Sequence, residues 1–202
     1  MRQRIGVALA AALVVAFAGA RESSAQMVIG VPVYVVPSGT GIFASADLGR
    51  AGSNNTYALT GGLGLSRLGV EVSVGSTKLD VLGTKVAFGG MVGAQLFGGG
   101  LNPISIGVQA GYSQLSAAGT TFKSYLGGAT VRVSPPLFPL KPFGVVYYQG
   151  SKDVGGKREV RVSVGADFNL ILGLGVHAAY DWGDSGHLWG VGAHLKFSLP
   201  GM

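Results

Sequence analysis

Asp181, Asp184 and His187 lie close together near the C-terminal end of the chain, and an Asp–His pair can activate water as a general base. His177 and His194 are the other two histidines; side by side, they could ligate a metal ion or satisfy one another as a polar pair. Against catalysis, Asp184-Ser185-Gly186 is a good turn sequence, and polar side chains in turns are ordinarily solvated. No G-x-S-x-G nucleophile elbow occurs, and the glycine pairs match no phosphate-binding fingerprint in a strand–turn–helix setting. The chain has no cysteine, which excludes disulfides, thiolate catalysis and cysteine-based metal sites. The expectation is a protein without enzyme activity, catalytic residues, metal site or cofactor.

The elements that must position these side chains announce themselves by alternation. Val70, Val72 and Val74 interleave with Gly69, Glu71, Ser73 and Gly75; Val160, Val162 and Val164 interleave with Glu159, Arg161, Ser163 and Gly165. Successive side chains of a strand point to opposite faces, so a period of two sorts one apolar face from one of glycine, serine and charge. Ten segments read as strands, near 40–49, 55–65, 68–77, 84–97, 103–114, 121–134, 142–150, 158–168, 171–181 and 187–198, with eight the alternative if the first or seventh fails. Such lengths suit a tilted strand that crosses a bilayer.

Composition points the same way. Glycine is 36 of 202 residues and charged residues are 12%, against roughly 7% and 25% in ordinary soluble chains. So little charge leaves much of the surface facing something other than water. Arg2 and Arg4, the apolar run 5–20 and Ser23-Ser24-Ala25 have the layout of a cleavable signal peptide, residues 1–25, although Ala18-Gly19-Ala20 offers another cut. The apolar run is shorter than the ~20 residues that a spanning helix needs. Of 15 basic and 9 acidic residues, three and one fall in that segment, leaving a net charge of +4. No basic stripe with interleaved aromatics accompanies it, so nucleic acid is not an expected partner.

Two sets of connections alternate: short ones at 66–67, 98–102, 135–141 and 169–170, and more polar ones at 50–54, 78–83, 115–120, 151–157 and 182–186. Tyr57, Tyr112, Tyr125, Tyr147, Tyr148, Tyr180, Trp182 and Trp189 fall near the loop ends of their strands; Phe97, Phe143, Phe168 and Phe197 fall near the turn ends. Two such girdles with aliphatic residues between them mark two membrane–water interfaces. Turning the apolar face outward then gives a lipid-facing band and a polar lumen holding Asp47, Glu71, Lys85, Gln95, Gln109, Arg132, Glu159, Arg161, Asp167, His177, Asp181, His194 and Lys196. Five acids against four bases favours paired charges, since an unpaired buried charge is costly. Such a lumen is either a hydrogen-bonded plug or a narrow polar conduit.

The opening Ser38-Gly39-Thr40-Gly41, the hairpin Gly165-Ala166-Asp167-Phe168-Asn169 and the closing strand, with Val191, Ala193, Leu195 and Phe197 on one face, resemble the small bacterial outer-membrane β-barrel proteins of the OmpA/OmpX-like group. The resemblance implies an antiparallel up-and-down transmembrane β-barrel over 38–202, after the signal peptide and an N-terminal extension at 26–37. It implies an outer-membrane location, insertion by the barrel-assembly machinery and a monomeric state. Ser198-Leu199-Pro200-Gly201-Met202 departs from the usual terminal aromatic. The expected function is structural or surface-interacting, the alternatives a narrow porin-like channel for small solutes or a surface hydrolase. Partners would be outer-membrane lipid and lipopolysaccharide, whose phosphates Lys152, Lys157 and Arg158 could contact.

Overall fold

A computed structural model describes residue 28 and residues 30–79, 83–99, 102–117, 120–135, 138–151, 158–170 and 173–198. The signal peptide expected at 1–25 lies outside these residues. Ten strands form: β1 (Gly41–Ala51), β2 (Asn54–Leu65), β3 (Leu68–Leu79), β4 (Gly83–Gly99), β5 (Asn102–Ala117), β6 (Thr120–Val133), β7 (Leu140–Ser151), β8 (Arg158–Asn169), β9 (Leu174–Gly183) and β10 (Gly186–Ser198). Each pairs antiparallel with its sequence neighbours, and β1 pairs with β10, so the sheet closes on itself without an edge. The weak seventh segment is a full strand with two partners, β6 and β8, which settles the count at ten.

The alternation in sequence becomes the two sides of the wall. Val70, Val72 and Val74 are exposed, Val72 at 65%, while Glu71 and Ser73 between them are buried. Val160 is 59% exposed and Arg161 beside it is fully buried. An exterior apolar all round and a buried charged interior is the reverse of a water-soluble barrel, and it fits hydrocarbon outside. Tyr57, Tyr112, Tyr125, Tyr148, Trp182 and Trp189 project outward near the loop ends, and Phe97, Phe168 and Phe197 near the turn ends. Tyr180 stacks outward on His187, ring centroids 5.6 Å apart.

Tyr147 corrects the expectation that it belongs to the interface girdle: only 1% of it is exposed, and it points into the lumen. Adjacent residues of a strand cannot share a face, so Tyr148 is the outward member and Tyr147 joins Val145 and Gln149 inside. Phe143, expected at the turn-end interface, is also buried within the barrel.

The interior is not uniformly polar. After a turn in which the Val31 N–H bonds the Val28 carbonyl, residues 32–38 run through the lumen, from the loop end to the turn end, before the chain turns at Gly39 into β1. Val28 and Val31 pack on Ala58, Ala87 and Leu115; Val33 and Val36 pack on Met91, Leu126, Phe143, Val145 and Tyr147. The barrel therefore closes around a plug made by its own N-terminal extension, with apolar inward residues of β4–β7 forming a small core against it.

Depth in the lipid band is testable. Arginine at the bilayer midplane costs about 2–4 kcal/mol and near an interface about 0–1. Val72→Arg, in the middle of β3, is therefore expected to reduce folding into liposomes far more than Leu68→Arg at its turn end. Equal loss of folding free energy in urea titrations would contradict the placement of this band.

Candidate functional site: the plugged lumen

The plug is held first by backbone hydrogen bonds, because an extended segment inside a barrel has no sheet partner of its own. The Val36 N–H donates to Gln109 Oε1 (3.2 Å), Gln109 Nε2 donates to the Tyr34 carbonyl (3.0 Å) and Arg132 Nη2 donates to the Val35 carbonyl (3.2 Å). The Val33 backbone donates to Asp181. Pro32 and Pro37 have no N–H to satisfy, which lowers the demand. The wall yields space where the plug comes closest: a Cβ on Gly49 would strike the Gly30 carbonyl, one on Gly69 the Pro37 carbonyl, and one on Gly190 the Pro32 ring.

Charged side chains among the inward positions gather in two clusters. Near the loop end, Arg161 of β8 bonds Asp181 Oδ1 from Nε (2.9 Å), Glu159 Oε1 (2.8 Å) and Ser185 Oγ (3.0 Å) from Nη1, and the Gly186 carbonyl from Nη2 (3.2 Å). Tyr147 donates its hydroxyl to Asp181 Oδ2 (2.6 Å), and Glu159 accepts from both the backbone N–H and the hydroxyl of Ser185. A planar guanidinium can serve that many acceptors at once, which a lysine ammonium cannot do with the same geometry. Toward the turn end, Asp47, His177, His194, Asp167 and Lys196 come together from β1, β9, β10 and β8, and the Tyr34 ring of the plug sits 4.4 Å from that of His177. Glu71 and Arg132 face the same space, a cavity of about 70 Å³, which is room for a few water molecules.

Of the expected lumen residues, Lys85 is only half-buried and joins neither cluster. Asp181 and His187 are not brought together: Asp181 pairs in register with the inward Leu188, so the neighbouring His187 lies on the outer face. The general-base pairing is thus not formed, and among the described residues no group of three histidine or carboxylate side chains is arranged to hold a metal ion. Arg158 is exposed at the loop end of β8; Lys152 and Lys157 lie outside the described residues. The plug itself was missed as a functional element. Its signal is the run Val31-Pro32-Val33-Tyr34-Val35-Val36-Pro37, apolar and free of charge yet ahead of the first strand, set against inward glycines with no polar role of their own.

No described protein family and no curated protein matches the chain. Among solved structures it is similar to the N-terminal β-barrel domain of Pseudomonas aeruginosa OprF, at 14% identity and a TM-score of 0.43 over 80% of this chain and all of that one. It is similar to a de novo designed transmembrane β-barrel, at 13% identity and a TM-score of 0.41 over 81% of this chain and all of that one. A loop-deletion mutant of OmpT, an outer membrane protein of Vibrio cholerae, gives 16% identity and a TM-score of 0.39 over 80% of this chain; the chain spans 61% of its length. On its own architecture, closed and antiparallel with a lipid band outside and paired charge inside, the protein is an integral outer-membrane β-barrel.

The loop-end cluster predicts an asymmetry in stability. Arg161→Ala leaves Asp181, fully buried, and Glu159, nearly so, without their cation and is expected to cost about 3–5 kcal/mol, whereas Arg50→Ala, at an exposed side chain that bonds the Gly52 carbonyl, should cost at most about 0.5 kcal/mol. Urea unfolding in lipid vesicles measures both, and similar losses would show that the Arg161 cluster is not a principal clamp.

Proposed function

We propose that this protein is a structural or surface-interaction barrel of the OmpA/OmpX-like kind, non-enzymatic, with its lumen sealed by residue 28 and residues 30–37. The single observation that supports this is the seating of Val28, Val31, Val33 and Val36 against the inner wall, each at most 7% exposed. Solutes have no wide aqueous path past a segment packed that closely on both apolar and polar sides. The second reading, a narrow passive channel, requires the plug to leave.

The surroundings of such a barrel are outer-membrane lipid, reached through the barrel-assembly machinery, and the protein acts as a monomer. Arg50, Lys78 and Arg158 are exposed at the loop end beside Tyr57, Trp182 and Trp189. A cationic rim above an aromatic girdle suits the phosphates of lipopolysaccharide through charge-assisted hydrogen bonds.

Two measurements test these readings. In planar bilayers the refolded chain from residue 26 onward is expected to be silent, and a chain from residue 38 onward to show discrete conductance steps; steady conductance by the former would favour the channel. Replacing Lys152, Lys157 and Arg158 together by Gln should weaken association with lipopolysaccharide-containing bilayers, with the loss shrinking at high salt. Unchanged binding at low salt would remove the rim from the function.

A further inference from the structure

The outer wall is recessed at one place on β1–β3. Register sets Ala46 of β1 between Ala193 of β10 and Leu59 of β2, so two methyl groups stand side by side. The next row toward the loop end carries Val191, Leu48 and Tyr57 instead. A groove of about 590 Å³ opens over Ala46, between Tyr57, Leu59, Val74, Val86 and Val191, on the side that meets lipid. Ser76, opposite Tyr57 in register, is its other hydroxyl-bearing border.

Above the groove the chemistry changes. Arg50 pairs with Asn55, and continuing the Thr56↔Thr77 register by one residue sets Asn55 beside Lys78. The three residues form one row across β1, β2 and β3. Each is exposed, and each stands two residues beyond Leu48, Tyr57 or Ser76, so the row shares the outward face of the groove. Arg50 and Lys78 are separated by two interstrand spacings, about 10 Å between backbones. Arg50 Nε donates to the Gly52 carbonyl (3.1 Å), which ties the guanidinium to the rim and leaves its two terminal nitrogens for other acceptors. The two acids of these strands, Asp47 and Glu71, are both buried on the lumen side.

The two halves of this surface select its occupant together. Lipid tails are as apolar as leucine, so a groove in the lipid band discriminates by fit and not by hydrophobicity. Affinity must come from the head, where two cations on different strands call for two separated anionic groups. A glycerophospholipid brings one phosphate. The lipid A part of lipopolysaccharide brings two, on a disaccharide with acyl chains directly beneath. We propose that this groove seats one lipopolysaccharide molecule, an acyl chain lying over Ala46 and the lipid A phosphates bonded by Arg50 and Lys78. Tyr57 and Ser76, at the boundary, supply hydroxyls at the level where the chains join the head. The seat rests on the lipopolysaccharide reading of the preceding section and gives it a place on β1–β3.

Native mass spectrometry of the full chain, refolded in detergent micelles and titrated with diphosphoryl lipid A, tests the seat. One lipid A per chain should bind, more tightly than monophosphoryl lipid A or phosphatidylglycerol. Replacing Arg50 and Lys78 together by Gln should weaken binding at least ~10-fold, with the loss shrinking at high salt. Ala46→Trp fills the groove without touching the charges and should weaken binding at least ~3-fold. Val146→Trp puts similar bulk on the outward face of β7 and should leave it unchanged. Each variant is checked for folding by its shift on unheated gels; if Ala46→Trp fails to fold, Ala46→Leu, expected to weaken binding in the same direction, takes its place. Lipid A affinity that ignores the filled groove, or that survives loss of both cations, overturns the seat and leaves the rim reading standing. Phosphatidylglycerol bound as tightly as diphosphoryl lipid A also overturns it. No binding of lipid A by the parent chain overturns the rim reading itself.

Discussion

A strand surrounded by hydrocarbon has no water to satisfy its N–H and C=O groups, and each one left unpaired costs several kcal/mol. The β1–β10 pairing, continuous from Gly41↔Ser198 to Arg50↔Trp189, is therefore the contact on which the rest depends. It turns an open ribbon with two exposed edges into a wall with none. Once the wall closes, the alternation of side chains can have only one sense: valines and leucines meet lipid, and carboxylates, guanidinium groups and imidazoles are forced into a narrow shared interior.

Forcing charge inward creates the second problem, which the interior solves by concentrating it. Arg161 is fully buried, yet it meets Asp181, Glu159, Ser185 and a backbone carbonyl within one turn-linked region of β8, β9 and β10. The opposite side of the lumen carries hydroxyl pairs instead, Thr60 with Ser73 and Ser113 with Ser124, which need no counter-charge. Between these polar surfaces lies an apolar strip on β4–β7, and the valines of the N-terminal segment cover it. The plug is thus part of the packing as well as a seal. Without it, Met91, Leu126 and Phe143 would line a water-filled space.

The plug also decides how the lumen is understood. A polar lumen by itself is compatible with a conduit, and the inward glycines suggest open space. Their neighbours show what the space is for: Gly49, Gly69 and Gly190 sit under plug atoms, while Gly175 and Gly192 sit opposite the His194 and His177 rings. The same residue type that would widen a pore here admits a backbone and two imidazole rings.

Strand number, antiparallel hairpin order and the sense of the two faces were legible in the chain, because a period of two is a local property and charge scarcity leaves only one way to orient it. The lumen assignment of Asp47, Glu71, Arg161 and Asp181 followed from the same rule. Tyr147 departs from the expected girdle because height along a strand does not fix the face: Tyr148 takes the outer side, so its neighbour Tyr147 takes the inner. The pairing of Asp181 with Arg161 rather than with His187 was not legible, since it depends on the turn between β9 and β10 being two residues long, which sets Asp181 opposite Leu188 and His187 opposite the outward Trp182. Nor was the plug. Its contacts, from Val36 to Gln109 and from Val35 to Arg132, span 73 and 97 residues and exist only after ten strands have enclosed a volume. A wall and its two chemistries follow from local alternation alone; what fills the wall depends on closure, because only a closed barrel brings side chains from every strand within reach of one N-terminal segment.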